Sequence, residues 1–325
     1  MKAIVVDENS PDHSLQWQEV PEPEIGPEEV LVDVHATAVN RADLLQRAGS
    51  YPPPPGAPPY PGLEMAGIVA AAGAQAGGWN PGDRVCALLS GGGYAEQVAV
   101  PHSLLLRLPA DWDFPRAAAV PEVFLTAYVN LFMEGCLQKG ETVLIHGGGS
   151  GVGTAAVQLA AHAGCRVLVT AGTSAKLARC LELGAEFGAN YRERDFADAI
   201  LEQTDGVDVV LDIAGATYLE PNLRLLRTKG RLVLIALLTG PRTEIDLSAV
   251  LMKRLRLIGS LLRSRPVSEK TEIVRAFKKQ FWSHLEDGRI QPVIDTILPI
   301  TRVEEGHQIL EQNRNIGKVV LTVHQ

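Results

Sequence analysis

The residues whose types and spacing point most directly to chemistry form a glycine-rich run, Val143-Leu-Ile-His-Gly-Gly-Gly-Ser-Gly-Val-Gly153. An apolar, strand-like stretch enters it, and a helical pattern leaves it through Gln158 and Leu159. Such a turn lets a bare backbone approach a pyrophosphate, whose charge is favoured by the unpaired N–H groups and the dipole of the helix N-terminus. Read from Gly148, the run departs from G-x-G-x-x-G, with Ser150 in the middle position and Gly153 in the last. With strand, helix and second strand around it, Gly148, Ser150, Gly151, Val152 and Gly153 are expected to hold a dinucleotide. The plainer alternative is an ordinary glycine loop.

The stretch after the second strand bears on which dinucleotide. A carboxylate for the ribose hydroxyls is expected roughly 20 residues beyond the glycines. Here Val169-Thr170 runs into Ala171-Gly172-Thr173-Ser174-Ala175-Lys176, and the first acid is Glu182, inside the next helix. The small Gly172, the hydroxyls of Thr173 and Ser174 and the ammonium of Lys176 suit a 2′-phosphate, because donors and a cation satisfy its oxygens. NADPH is therefore expected over NADH. The alternatives are a solvated helix residue for Lys176 and a helix cap for Ser174.

These residues need a scaffold. From about residue 141, apolar runs of strand length (Thr142 to Ile145, Arg166 to Thr170, Val207 to Asp212, Arg231 to Leu238) alternate with helical patterns. The helices are expected over Val152 to Ala163, Ala175 to Leu183, Phe196 to Gln203 and Tyr218 to Arg227, with Gly184 and Gly230 at cap positions. Continuous apolar strands between helices predict a parallel sheet covered on both faces. Before about residue 120 the chain shows short β-like runs, such as Val30 to Val34 and Ile68 to Ala72, among turn residues. Tyr51 to Pro61 is dominated by proline, which cannot donate to a ladder, so a stiff loop is expected. Beyond about residue 265 come an amphipathic helix (Glu269 to Glu286), a strand (Val293 to Ile300), a short helix (Val303 to Gln312) and a last strand (Lys318 to Val323). Periodicity leaves open whether these extend the parallel sheet or return to the first domain.

At 325 residues the chain is long enough for two domains. A hydrophobic fraction of 46% excludes wholesale disorder. The net charge of -8 denies it the broad positive field that draws nucleic acid, without excluding a local anion site. The opening apolar run meets Asp7 and Glu8 too soon for a signal peptide, and no stretch reaches membrane-spanning length, so a cytoplasmic protein is expected. Cys86, Cys136, Cys165 and Cys180 form no Cys-x-x-Cys pair and are expected as thiols rather than as a disulfide framework or a metal knuckle.

Several stretches together resemble the medium-chain dehydrogenase/reductase superfamily over nearly the whole length. They are Asn40-Arg-Ala-Asp43, Gln46 to Tyr51 with its prolines, Pro61 to Gly67, Val120 to Thr126, His146 to Gly153, Ser260 to Arg265 and Asn315-Ile-Gly-Lys318. Within it the chain is similar to the zinc-free, zeta-crystallin-like quinone oxidoreductases, and most to their tumour-suppressor-inducible branch. The resemblance implies an α/β fold: a GroES-like, β-rich catalytic domain over residues 1–121 and 267–325, and a doubly wound Rossmann domain over 122–266. It also implies an interdomain cleft, a homodimer paired through the nucleotide-binding sheets, and no nucleic-acid or membrane partner.

Zinc alcohol dehydrogenases of the superfamily carry Cys where this chain has Asn40 and His where it has Leu63, which has no ligating atom. No metal is expected. Without a Lewis acid to stabilise an alkoxide, the acceptor should already be electrophilic, a quinone or a conjugated enone, and take a hydride directly from NADPH. Tyr51 is the candidate donor to the developing oxyanion, since a phenol stays protonated at neutral pH; the alternative is an aromatic packed on prolines. Asn40 is placed to bond substrate or nicotinamide ribose, or else is a turn residue. Thr126 is placed near the nicotinamide, or else is an ordinary helix hydroxyl. Asp43 reads as structural, and Glu64 as a salt-bridge partner or part of the site. The resemblance further assigns Tyr191 to the adenosine and Gly215, Ala236, Leu237, Leu238, Leu261, Leu262, Arg263 and Asn315 to the cofactor. The competing activity is an enone or enoyl-thioester reductase. A nucleotide-binding crystallin-like or RNA-binding role would rest on Lys253-Arg254-Leu255-Arg256, Arg263 and Arg265, which read more simply as a solvated face.

Overall fold

In the computed structural model, which describes residues 1–324, the opening apolar run forms strand β1 (Lys2–Val6), antiparallel to β2 (Leu15–Glu19). From Glu29 to Ala36 every second side chain is buried, the period of a strand with one face on a core, and from Ala36 to Val39 all four are buried. This is β3 (Glu29–Val39). After helix α1 (Arg41–Arg47) and the proline loop follow β4 (Glu64–Ala72), β5 (Arg84–Leu88), β6 (Gln97–Pro101) and β7 (Leu105–Arg107). β3 pairs antiparallel with β4 on one side and, through its first half, with β6 on the other. Residues 51–61 form no helix or strand, as their prolines require. Helices α2 (Phe114–Ala118) and α3 (Pro121–Tyr128) close this part.

The second unit is the parallel sheet. β8 (Thr142–Ile145), α4 (Gly151–His162), β9 (Arg166–Ala171), α5 (Ser174–Glu182), β10 (Phe187–Asn190), α6 (Phe196–Leu201), β11 (Val207–Asp212), α7 (Leu219–Leu225), β12 (Leu226–Leu234), α8 (Leu247–Lys253) and β13 (Arg256–Gly259) succeed one another. The strand order is β10-β9-β8-β11-β12-β13, with every pairing parallel. Leu144, Leu168, Val210 and Leu232 of adjacent strands pack with Phe196, Ile200 and Leu223 of the helices in one core.

Two expectations are corrected here. Gly184 ends α5 at φ +110°, but Gly230 caps nothing: it lies inside β12, which begins at Leu226 and ends at Leu234 rather than running from Arg231 to Leu238. Lys229 at φ +65° kinks the strand there, and β12 shifts register against β11. The helix expected over residues 269–286 is instead α9 (Val267–Phe277), a widened π-helical turn (Lys278–Trp282) and α10 (Ser283–Glu286). Phe277, Phe281 and Trp282 are buried across that junction.

The open question about the C-terminal segment is settled by pairing. β14 (Ile294–Pro299), α11 (Val303–Glu311) and β15 (Lys318–Thr322) return to the first unit, where β15 pairs antiparallel with β3 and parallel with β14. The compact units are Met1–Leu125 with the segment from Leu262 onward, and Thr126–Leu261. The passages fall at 125/126 and 261/262, and the first lies inside α3, where no change of composition marks it.

Candidate functional site

In the parallel unit, the strand-to-helix turn is built as its glycines demand. Ser150 caps α4 by accepting from the Gly153 N–H (3.0 Å), and Gly151 and Val152 open the helix with donors that have no intrahelical acceptor. A Cβ at Gly153 would stand 2.3 Å from the Gly147 carbonyl oxygen, so only glycine lets helix and turn approach this closely. The bare backbone and first-turn donors fit a pyrophosphate. Behind the turn, buried His146 bridges Thr170 Oγ1 (2.9 Å) and Asn222 Oδ1 (2.7 Å). Asn222 donates to Asp212 (3.2 Å), whose other oxygen accepts from the N–H groups of Ala214 (2.6 Å) and Gly215 (3.3 Å). Burial lowers the His146 pKa, so the ring is neutral in this chain. One hydrogen-bonded chain thereby fixes both the glycine turn and the loop carrying Gly215.

At the end of β9, the helix cap is Thr173, which accepts from the Lys176 N–H (3.4 Å); Ser174 is the first helical residue, a correction to the capping alternative. Thr173 and Ser174 are exposed, and the Lys176 stem lies over Gly149, 2.8 Å from where a Cβ would stand. Tyr191, 42% exposed, brings its hydroxyl to 2.6 Å from the Cβ position of Gly172. Arg192 Nε stands 3.1 Å from the same point. That guanidinium escaped the sequence reading because it follows a different strand, β10, and only the pairing of β9 with β10 brings it here. Gly215 and Leu237 meet, and Leu237 and Leu238 are about half exposed beyond β12. Leu261, also exposed, ends this unit. Thr126 opens it, with its carbonyl oxygen accepting from Asn130 Nδ2 (2.8 Å).

In the first unit, Asn40 follows the last residue of β3 and leads into α1, and Asp43 reaches back to its N–H (2.8 Å) in a capping arrangement. Asp43 also accepts from the Gly62 N–H (2.9 Å) and the Tyr94 hydroxyl (3.1 Å). Burial still pushes Asp43 up to about 6, against those donors and Lys318. Glu64 is fully buried: Oε1 pairs with Lys318 Nζ (2.8 Å) and Oε2 accepts from the Glu122 N–H (2.8 Å). The Glu122 carboxyl is pushed up to about 8 by burial and then by Glu64. Leu63 packs in the core, and among the described residues no three His, Cys, Asp or Glu side chains gather to hold a metal ion.

Tyr51 lies on the proline loop with the Arg263 guanidinium 5.2 Å from its ring centre. Arg263 donates to the carbonyl oxygens of Tyr51 (3.2 Å) and Ser90 (2.8 Å) and to Gln46 Oε1 (2.6 Å); Gln46 donates in turn to Pro59 O (2.8 Å). Both ends of the loop are thus tied to one cation, a clamp that sequence spacing hides because Gln46 and Arg263 lie 217 positions apart. Burial raises the Tyr51 pKa, opposed by Arg263, so the phenol is a donor at neutral pH. Leu262 is buried beside this segment, and Asn315 spends its amide on Gly317 O (2.7 Å) in a turn before β15. Lys318 stands within the Ile-Gly-Lys match without a role; a lysine opening the apolar strand Val319-Val-Leu was the available signal, since lysines are seldom buried unpaired.

Two family models match the chain: an alcohol dehydrogenase GroES-like domain over residues 26–110 and a zinc-binding dehydrogenase over residues 151–279. A quinone oxidoreductase of Lama guanicoe is 34% identical over 328 residues, covering 99% of this chain and 97% of that protein. The Escherichia coli quinone oxidoreductase, solved in complex with NADPH, superposes with a TM-score of 0.89 at 28% identity over 99% of this chain and all of that one. The Thermus thermophilus quinone oxidoreductase, also solved with NADPH, does so at 0.83 and 34% identity, again over 99% and 100%. The two-unit fold, the glycine turn and this likeness along the full length agree: the chain belongs to the quinone oxidoreductase family of the medium-chain dehydrogenases/reductases.

Proposed function

We propose that the protein is an NADPH-dependent quinone reductase that works without a metal. The observation that carries this reading is full-length likeness to proteins named quinone oxidoreductase, two of them solved with NADPH. The local chemistry supports the cofactor. Gly148 to Gly153 would take the pyrophosphate. Thr173, Ser174, Lys176 and Arg192 gather donors and cations for a 2′-phosphate, and no carboxylate stands between Val169 and Lys176 to repel it. When bound, NADPH supplies the hydride. The chain supplies Tyr51 as hydrogen-bond donor to the oxygen on which charge develops, held by the Arg263 clamp, and Asn40 as a further polar contact. At the positions where the resemblance puts zinc ligands, Leu63 offers none and Asn40 is a neutral amide whose hydrogens go to Ala38 O and Glu64, so an acceptor that delocalises its own charge fits best.

The same reading includes a homodimer. β13 is an edge strand of the parallel sheet, and Leu247, Leu251 and Met252 of the preceding helix are 65–78% exposed. An unpaired edge beside an apolar helix face is covered best by a second copy. We also place the protein in the cytoplasm: its four cysteines are all thiols, and no helix among the described residues is long and apolar enough to cross a membrane. The deciding test is NADPH oxidation with a naphthoquinone beside a short enoyl-CoA. Turnover on the quinone is expected; turnover confined to the enoyl-CoA, or NADPH binding with neither acceptor reduced, would reject the reading.

A further inference from the structure

Strand order places three polar residues of distant sequence side by side. β15 and β4 flank β3 and both run antiparallel to it, so Lys318 and Glu64, which open them, stand beside Asn40 where β3 ends. Lysine is a donor only, and Nζ lies 2.6 Å from Asn40 Oδ1, which fixes the orientation of the amide. Nδ2 then gives its two hydrogens to Glu64 Oε1 (2.9 Å) and Ala38 O (3.2 Å). Lys318 spends its own hydrogens on Asn40, on Glu64 (2.8 Å) and on Val39 O (3.0 Å). Neither lysine nor amide has a hydrogen left to give. What remains is the second acceptor position of Oδ1, on a residue that keeps 8% of its surface while Glu64 keeps none.

We propose that Lys318 is a positioning residue that makes Asn40 a pure hydrogen-bond acceptor for the reactants, selecting a hydroxyl group at that point. Without the lysine and the carboxylate it holds, Ala38 O alone restrains the amide, which can then turn and offer NH2 to a carbonyl. The inference rests on the quinone reductase reading for its ligands. The hydroxyl belongs either to a ribose of the dinucleotide or to the reduced, dihydroxy form of a quinone.

Removing Lys318 alone would leave Glu64 unpaired in the interior, so the informative variant is Lys318→Met with Glu64→Gln, which discharges both. Three quantities are measured: melting temperature, NADPH affinity by fluorescence without quinone, and steady-state reduction of a naphthoquinone with inhibition by its hydroquinone. The double variant is expected to fold and to lose about tenfold, one hydrogen bond's worth, in NADPH affinity if the hydroxyl is a ribose's, or in hydroquinone inhibition and kcat/KM if it is the product's. Lys318→Arg should recover most of the loss. Asn40→Ala should lose as much, and the triple variant no more than either, because lysine and amide act as one unit. A folded double variant matching wild type in affinity, inhibition and turnover would overturn the proposal, as would additive losses in the triple variant. A wild-type protein that neither binds NADPH nor reduces a quinone would reject the functional reading instead.

Discussion

At the residue scale, the groups proposed to face a ligand are legible by type, and the groups that hold them are not. Tyr51 is a phenol in a family stretch, but its clamp is Arg263, and only folding brings the two together. Tyr51→Phe keeps the ring on Arg263 and removes only the hydroxyl. It is expected to lower kcat for a bulky naphthoquinone by about a hundredfold, the usual cost of one donor to a developing oxyanion, with NADPH affinity unchanged. An unaltered kcat would take Tyr51 out of the chemistry. The cofactor phosphate offers a second case. The absence of a carboxylate between Val169 and Lys176 is read directly from the chain, whereas Arg192 comes from the neighbouring strand. Lys176→Ala and Arg192→Ala should each reduce the NADPH-to-NADH ratio of kcat/KM by about tenfold, the worth of one charge-assisted hydrogen bond. A ratio unmoved by both would transfer phosphate selectivity elsewhere.

At the element scale, the parallel strands are legible because burial on both faces forces continuous apolar runs: β8 and β11 fall where hydropathy puts them. β12 does not. Its first half, Leu226-Arg-Thr-Lys-Gly230, has no apolar run, and its pairing with β11 is held by neighbours across a register shift rather than by its own pattern. The tail beyond residue 265 is likewise legible as elements but not as topology, since a strand pattern does not state its partner; β15 joins β3 through contacts some 280 positions away. The turn before α4 shows the opposite case, in which an element depends on one side chain's absence. Gly153 is helical, where alanine is the better former by about 1 kcal/mol. Yet a Cβ there meets the Gly147 carbonyl at 2.3 Å, so Gly153→Ala must push the turn from the helix. The variant is expected to bind NADPH at least tenfold more weakly, read by fluorescence titration. Wild-type affinity would mean that the turn has room this packing denies.

At the scale of the whole molecule, the first unit stores ionisable groups in its interior. Asp43, Glu64 and Glu122 share an interior with Lys318, and Arg263 and Lys270 also act on it electrostatically. Lys318 is spent on Glu64, Asn40 and Val39 O, and burial outweighs the positive charge that reaches Asp43 and Glu122. Burial and then the neighbouring Glu64 push Glu122 from 4.5 up to about 8, and burial takes Asp43 from 3.8 to about 6. A carboxyl raised on folding binds its proton more tightly in the native state. Its contribution is therefore complete below the unfolded pKa and is lost as pH rises through the folded one, at roughly 1.4 kcal/mol per pH unit for one proton. For Asp43 the loss falls between about pH 4 and 6, and for Glu122 between about pH 4.5 and 8. Of these two carboxyls only Glu122 continues to release its proton above pH 6, and comparison with a variant that cannot ionise there isolates its share. Glu122→Gln keeps size and hydrogen-bonding capacity but cannot ionise. His35, His146 and His307, all lowered by burial, gain stability as pH rises through about 6.5, so the readout is the difference between the two proteins: relative to the variant, wild type should lose several degrees of melting temperature between pH 6 and pH 8. Parallel melting profiles for the two proteins would mean that Glu122 is already ionised in the folded state at neutral pH, held so by Lys318, Lys270 and Arg263.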